Sequence, residues 1–269
     1  MNRRPNSSAP PDAPPGVLVG RNPVREALER GDGRVEKVFL QQGAPGSGID
    51  AIRHAAKAGG VPVQVVPAQK IDRLAPGATH QGVAALAAAV GYLDLDEMLS
   101  GIAPDLDAVR ATKPLLVALD EIEDPHNLGA ILRSAVAAGA AGALVPERRS
   151  APLGATALKA SAGTALRLPV ARVTNLAESL LAMKERGYWV VGLEGGAEAP
   201  GDPERTTVWD WDWDRASVVV VGNEGRGLRP RVRQACDALA GIPMAGPAES
   251  LNASVAAGIA LLYAARVRG

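Results

Sequence analysis

From Gly16 onward, short unbroken apolar runs alternate with stretches in which apolar positions recur every three or four residues. In the first third this pattern predicts helices over residues 23–30 and 49–58 and strands at 35–40, 61–66 and 82–90. Residues 94–107 interrupt it with an acidic stretch containing Gly101 and Pro104, read as a separator. Beyond Lys113 the alternation resumes. Strands are predicted at 115–119, 143–145, 168–173, 189–193, 218–221 and 239–242. Helices are predicted from near Asn127, around 155–162, and over 176–186, 230–235 and 251–266. Short apolar strands alternating with helices predict an α/β fold with a parallel sheet covered on both faces, which binds ligands at its carboxyl ends. The expected organisation is a disordered tail at 1–15, rich in proline and serine, a small α/β domain at 16–92, a linker at 93–112 and a larger domain at 113–269.

Composition changes this picture little. With 269 residues and 47% hydrophobic content the chain can bury its own core. The single cysteine, Cys236, excludes an internal disulfide and fits a reducing cytoplasm. No apolar run is long enough for a membrane span and no apolar signal segment follows the N-terminal arginines, so a soluble, cytoplasmic protein is expected. Net charge is zero, but residues 1–92 carry eleven Lys/Arg against seven Asp/Glu, a basic front end compatible with RNA or with ordinary solvated surface.

Three segments collect polar residues and glycines where strands run out. In residues 120–134, Asn127 reads as a helix N-cap and Arg133 follows more than one helical turn later. In residues 218–228 a strand runs into the turn Gly222-Asn223-Glu224-Gly225-Arg226-Gly227. Its spacing is not GxGxxG, and no acidic ribose partner matches, which disfavours a dinucleotide-dependent oxidoreductase. In residues 242–254, Ser250 and Asn252 stand at the start of the apolar C-terminal helix, where capping alone would account for them. The histidines His54, His80 and His126 show no ligand spacing, so no metal is expected.

Together, in this order and spacing, the three segments resemble the SpoU family of RNA ribose methyltransferases, within the SPOUT superfamily. Lys159-Ala160-Ser161-Ala162-Gly163 and Gly192-Leu193-Glu194-Gly195 extend the likeness over residues 113–269. Gly20-Arg21-Asn22-Pro23-Val24 and His80-Gln81-Gly82-Val83 resemble the L30e-like RNA-binding domain of the family's bacterial 23S rRNA guanosine methyltransferases.

The resemblance implies a deep trefoil knot in the C-terminal domain, an exception to the rule that chains do not thread. It implies S-adenosylmethionine as cofactor, held by the backbone around Gly195, Gly222, Ile242, Met244 and Leu251, and a catalytic set of Asn127, Arg133, Glu224, Ser250 and Asn252. The implied partners are 23S rRNA or a ribosome-assembly particle. A tRNA substrate and a non-catalytic assembly role are the alternatives. A homodimer is implied too, in which Arg133 reaches the partner's cofactor; the helix over residues 253–265 is its candidate surface, a core helix being the plain alternative. Because an arginine stays protonated, Arg133 is expected to bind phosphate and stabilise alkoxide charge, with Glu224 holding it or meeting the RNA. Two weaker signals remain. Residues 208–214, if extended, place Trp209, Trp211 and Trp213 on one side, for packing or base stacking. Arg226, Arg229, Arg231 and Arg233 form a candidate RNA contact or a solvated helix face.

Overall fold

The computed structural model describes residues 16–30, 35–87, 91–195, 203–247 and 250–269. The expected tail at 1–15 and residues 88–90 of the expected strand at 82–90 lie outside these. The chain forms two compact units that meet in sequence between Gly91 and Tyr92.

The first unit is a four-stranded sheet in the order β1 (Val17–Val19), β4 (Val83–Ala87), β2 (Val35–Gln41), β3 (Val63–Val66). Alternation along β2 and β4 sends side chains to opposite faces. Val38, Leu40, Val83 and Ala85 pack with Val24 of α1 (Arg21–Arg30) and Ile52 of α2 (Ser47–Ala58), while Phe39 and Ala84 meet Ile71 of α3 (Ala68–Leu74). The two N-terminal motifs meet here. The Gly20 amide donates to the Val83 carbonyl at 3.0 Å, and Arg21 donates to the carbonyls of Gln81 at 3.1 Å and Pro45 at 3.0 Å.

The second unit carries a seven-stranded sheet, every pairing parallel, in the order β7 (Val170–Val173), β6 (Gly142–Pro146), β5 (Leu115–Asp120), β10 (Ser217–Gly222), β8 (Trp189–Leu193), β11 (Ala238–Gly241), β9 (Glu204–Thr207). The central strands are buried on both faces, as their continuous apolar runs require. One face packs α4 (Leu95–Ile102), α8 (Leu176–Glu185) and α9 (Pro230–Ala235). Another layer is made by α6 (Pro125–Ala137), α7 (Ala155–Ala160) and α10 (Ala253–Arg268), in which α6 contacts both of the others. Among the described residues no helix is long and apolar enough to cross a membrane.

The expected linker at 93–112 is instead built into this unit. Leu93 bridges to Ala171 beside β7; Met98 and Leu99 of α4 and Val109 of α5 (Leu106–Thr112) are buried in its core. Its acidity has a local cause: Asp94 caps α4 by accepting from Asp96 and Glu97 amides, and Asp105 caps α5 by accepting from the Ala108 amide. Residues 208–214 are not extended either. Thr207 Oγ1 accepts from the amides of Trp209 and Asp210, turning the chain, so Trp213 is buried, Trp209 is 42% exposed, and Trp211 faces Arg215. The last helix serves as core on one side, through Ala257, Ala260, Leu261 and Ala264. It leaves Val255 and Leu262, seven residues apart on one face, exposed.

Cys236 ends α9 inside this core, and burial pushes its thiol up to about 12, with Asp237 adding to the effect. The native protein is therefore expected to resist thiol-specific alkylation at pH 8, one thiol reacting only after denaturation. Rapid modification of the folded protein would contradict this burial.

Candidate cofactor and RNA site

Parallel register sets Leu193, Val221 and Ala240 side by side at the carboxyl ends of β8, β10 and β11. Beyond them opens a cavity of about 310 Å³, at the lower end of the size range for small-molecule sites. The expected cofactor residues Gly195, Gly222, Ile242, Met244 and Leu251 all line it, and so do Glu224 and Ser250.

The turn after β10 explains its glycines. The amides of Asn223 and Gly227 each donate to the other's carbonyl, at 3.1 and 2.8 Å, and Asn223 Oδ1 accepts from the Gly225 amide at 3.0 Å. A Cβ at Gly222 would stand 2.5 Å from the Gly227 carbonyl carbon, so the loop closes onto that residue only because it has no side chain. Asn223 Nδ2 donates to the Glu121 carbonyl at 3.0 Å, tying the turn to the end of β5. Among the described residues a Cβ at Gly195 would meet nothing within 4 Å, and its backbone lines the cavity.

Asn127, Glu224 and Asn252 come from three different segments and form one hydrogen-bonded chain. Asn127 Nδ2 donates to Glu224 Oε1, and Asn252 Nδ2 donates to Asn127 Oδ1 at 3.1 Å. Asn252 is also the N-cap of α10, its Oδ1 accepting from the Ser254 and Val255 amides at 2.9 and 3.4 Å. Asn127 is not a cap. Asp124 takes that position, its carboxylate accepting from the His126 amide at 2.9 Å with Pro125 in the first helical position, which leaves the Asn127 amide free to face Glu224. Glu224 holds Asn127 rather than Arg133. Arg133 is exposed on α6, does not line the cavity, and has no hydrogen bond or ion pair among the described residues.

Sequence reasoning assigned no role to Asp120 and Glu194, and read Arg229 only as part of a candidate RNA contact or solvated helix face. Asp120, fully buried at the end of β5, accepts from Arg229 Nε at 2.6 Å and from the Arg229 amide at 2.8 Å. Glu194 lines the cavity, held by Arg233 Nε at 2.8 Å and Arg205 Nη2 at 3.2 Å. The signal available was a carboxylate ending an apolar strand; the partners, 109 and 39 residues away from Asp120 and Glu194, were not readable. These pairs also correct the basic stretch. Arg226 pairs with Glu123 at 3.1 Å, so three of its four arginines face acids, and only Arg231 remains an exposed cation without a partner among the described residues.

The site therefore combines a cavity lined with glycine and apolar side chains at a strand switch with a polar network on its rim. Comparison with known proteins gives this arrangement a family. Residues 114–262 match the model of the SpoU rRNA Methylase family, and residues 17–93 match that of RNA 2'-O ribose methyltransferase substrate binding. The chain belongs to the SpoU family of RNA methyltransferases. It is 40% identical over 246 residues to a putative TrmH family tRNA/rRNA methyltransferase of Bacillus subtilis, covering 91% of this chain and 93% of that one. An uncharacterized tRNA/rRNA methyltransferase of Mycobacterium ulcerans is 44% identical over 253 residues, 94% of this chain and 77% of its own length. Among solved structures, the S-adenosylmethionine-bound rRNA methyltransferase of Sinorhizobium meliloti superposes with a TM-score of 0.56 at 25% identity, covering 93% of this chain and 87% of that one. The SpoU methyltransferase AviRb of Streptomyces viridochromogenes, also in complex with S-adenosylmethionine, gives 0.54 at 25% identity, with 94% and 90% covered.

Proposed function

We propose that this protein transfers a methyl group from S-adenosylmethionine to the ribose 2'-hydroxyl of a guanosine in 23S rRNA, as the family's bacterial guanosine methyltransferases do. The observation that carries the proposal is the convergence of Asn127, Glu224, Ser250 and Asn252 on the rim of the glycine-lined cavity. The cavity suits the cofactor chemically. Apolar Leu193, Ile242 and Leu251 offer a slot for adenine, and the backbone at Gly195 and Gly222 approaches without side chains to supply polar contacts. When bound, the cofactor supplies a methyl group on a sulfonium that is already activated as a leaving group.

The protein's part is then to position and to stabilise charge. In this reading Asn127 and Asn252, each fixed by the other, orient the ribose, Ser250 adds a hydroxyl at the cavity mouth, and Glu224 locks the Asn127 amide. Arg133 binds the adjoining phosphate and stabilises the oxygen as its proton leaves. Its position outside the cavity of its own chain fits delivery from a partner subunit, with the exposed Val255 and Leu262 face of α10 as part of a homodimer contact. The family's threaded C-terminal segment belongs to the same reading. The first unit would present the RNA.

The test is transfer of labelled methyl from S-adenosylmethionine to unmodified 23S rRNA, to an assembly particle and to bulk tRNA. Label recovered as 2'-O-methylguanosine from rRNA alone is the expected result. Label in tRNA would move the substrate. No label in any of the three would replace the enzyme by a binding protein.

A further inference from the structure

The opposite end of the same sheet holds a second cavity, of about 480 Å³, formed where β8 begins at Trp189 and where Ala216 leads into β10. Four strand steps separate Trp189 from Leu193, so it lies about 13 Å from the first cavity along β8. None of the residues described above as forming the first site lines it.

Its lining is net basic. Arg110, Lys113, Lys184 and Arg215 face it against two carboxylates, Asp214 and Asp237. Both acids are already engaged: Asp214 accepts from Lys113 at 2.7 Å, and Asp237 pairs with Lys184 at 2.8 Å while accepting from the Val190 amide at 2.8 Å. Arg110 is exposed and has no hydrogen bond or ion pair among the described residues. The cavity also has an aromatic wall. Trp189 is 45% exposed, although its apolar ring begins a strand that is otherwise interior. The Arg215 guanidinium lies 4.5 Å from the centre of that ring and 5.2 Å from that of Trp211, and Asp212 holds Arg215 by accepting from its Nε at 2.9 Å. Next to Trp189, Tyr188 is 3% exposed and also lines the cavity.

An unpaired guanidinium beside a fixed, arginine-backed indole matches a phosphate attached to a planar base. We propose that this cavity is a second nucleotide-binding site, in which Arg110 and Lys113 take a phosphate and Trp189 stacks the base. Its nucleotide comes either from solution or from a single-stranded part of the RNA. The site stands independently of methyl transfer, so it is tested by binding alone.

The experiment uses the full chain with S-adenosylhomocysteine at saturation to occupy the first cavity, and guanosine 5'-monophosphate as titrant in calorimetry. Saturable binding is expected, about tenfold weaker in Trp189→Ala, the loss of one base stack. It is expected to be weaker again with inorganic phosphate, which has no base. Arg110→Ala should lower affinity and, with a single-stranded RNA oligonucleotide as ligand, flatten the dependence of log K on log salt by about 0.7. Arg110 is exposed with no partner among the described residues, so Arg110→Ala should melt with the parent, whereas Trp189→Ala also loses the Arg215 contact and is read against a melting curve of the variant. Displacement of the monophosphate by the oligonucleotide would assign the site to the RNA strand, and failure to displace it would assign it to a free nucleotide. The proposal is overturned if S-adenosylhomocysteine abolishes the binding. It is equally overturned if neither substitution changes affinity for the monophosphate or the oligonucleotide.

Discussion

Replacing Arg133 by alanine is expected to lower kcat at least a hundredfold, about 2.7 kcal/mol of transition-state stabilisation, while the melting temperature stays where it was. The two halves of this expectation have separate grounds. Arg133 is exposed on α6 with no partner among the described residues, and substitutions at such positions change stability by less than about 0.5 kcal/mol. A loss of turnover without a loss of stability would place the side chain at the reacting oxygen or its phosphate. Arg133→Lys separates charge from shape. An ammonium keeps the charge but lacks the planar fork that grips a phosphate with two bonds, so this variant should remain at least about tenfold below the parent. Parent-like turnover in the alanine variant would remove Arg133 from the mechanism.

Gly222→Ala should act from the other direction. Its Cβ would meet the Gly227 carbonyl carbon at 2.5 Å, its oxygen at 2.7 Å and the Leu228 amide nitrogen at 2.7 Å, all backbone atoms that cannot rotate away. The turn must open, at a cost of about 3 kcal/mol by the measure of overpacked interiors. The turn also carries Glu224 and walls the cavity, so S-adenosylmethionine affinity should fall along with the melting temperature, as calorimetry on the variant would read. Unchanged affinity would mean that the turn does not border the cofactor. The two variants also test the dimer together. If Arg133 serves the partner's cavity, mixed dimers hold one complete site, and equal mixing of the two variants with subunit exchange, assayed at an S-adenosylmethionine concentration too low to fill the Gly222→Ala cavity, should recover about a quarter of parental activity. No recovery would place Arg133 in the site of its own chain.

Much of the architecture was legible along the chain because it depends on local periodicity. The short apolar runs of β5 and β10, bounded by turn residues, read as strands buried on both faces, and the longer stretches of α8 and α10 read as helices. Short or weakly apolar elements escaped. The strand β9 reads Glu-Arg-Thr-Thr and exists as an edge because β11 pairs with it, not because its residues demand a strand. The segment at 93–112 misled for a related reason: acidic residues that look like a solvated spacer are the caps and first turns of helices whose apolar side is Met98, Leu99 and Val109.

By itself the sequence determined most of the alternation of strands and helices and, through three motifs, the segments from which the candidate site is drawn. Only the tertiary structure decided their arrangement. It joined Asn127 to Glu224 and to Asn252 across separations of 97 and 125 residues, paired Asp120 with Arg229, and left Arg133 outside the cavity that Glu224 and Ser250 line. The physical reason is that periodicity records which side of an element faces the core, a property of a few adjacent residues. A hydrogen bond between side chains records where two distant elements come to rest, and that depends on strand order, which no local pattern encodes.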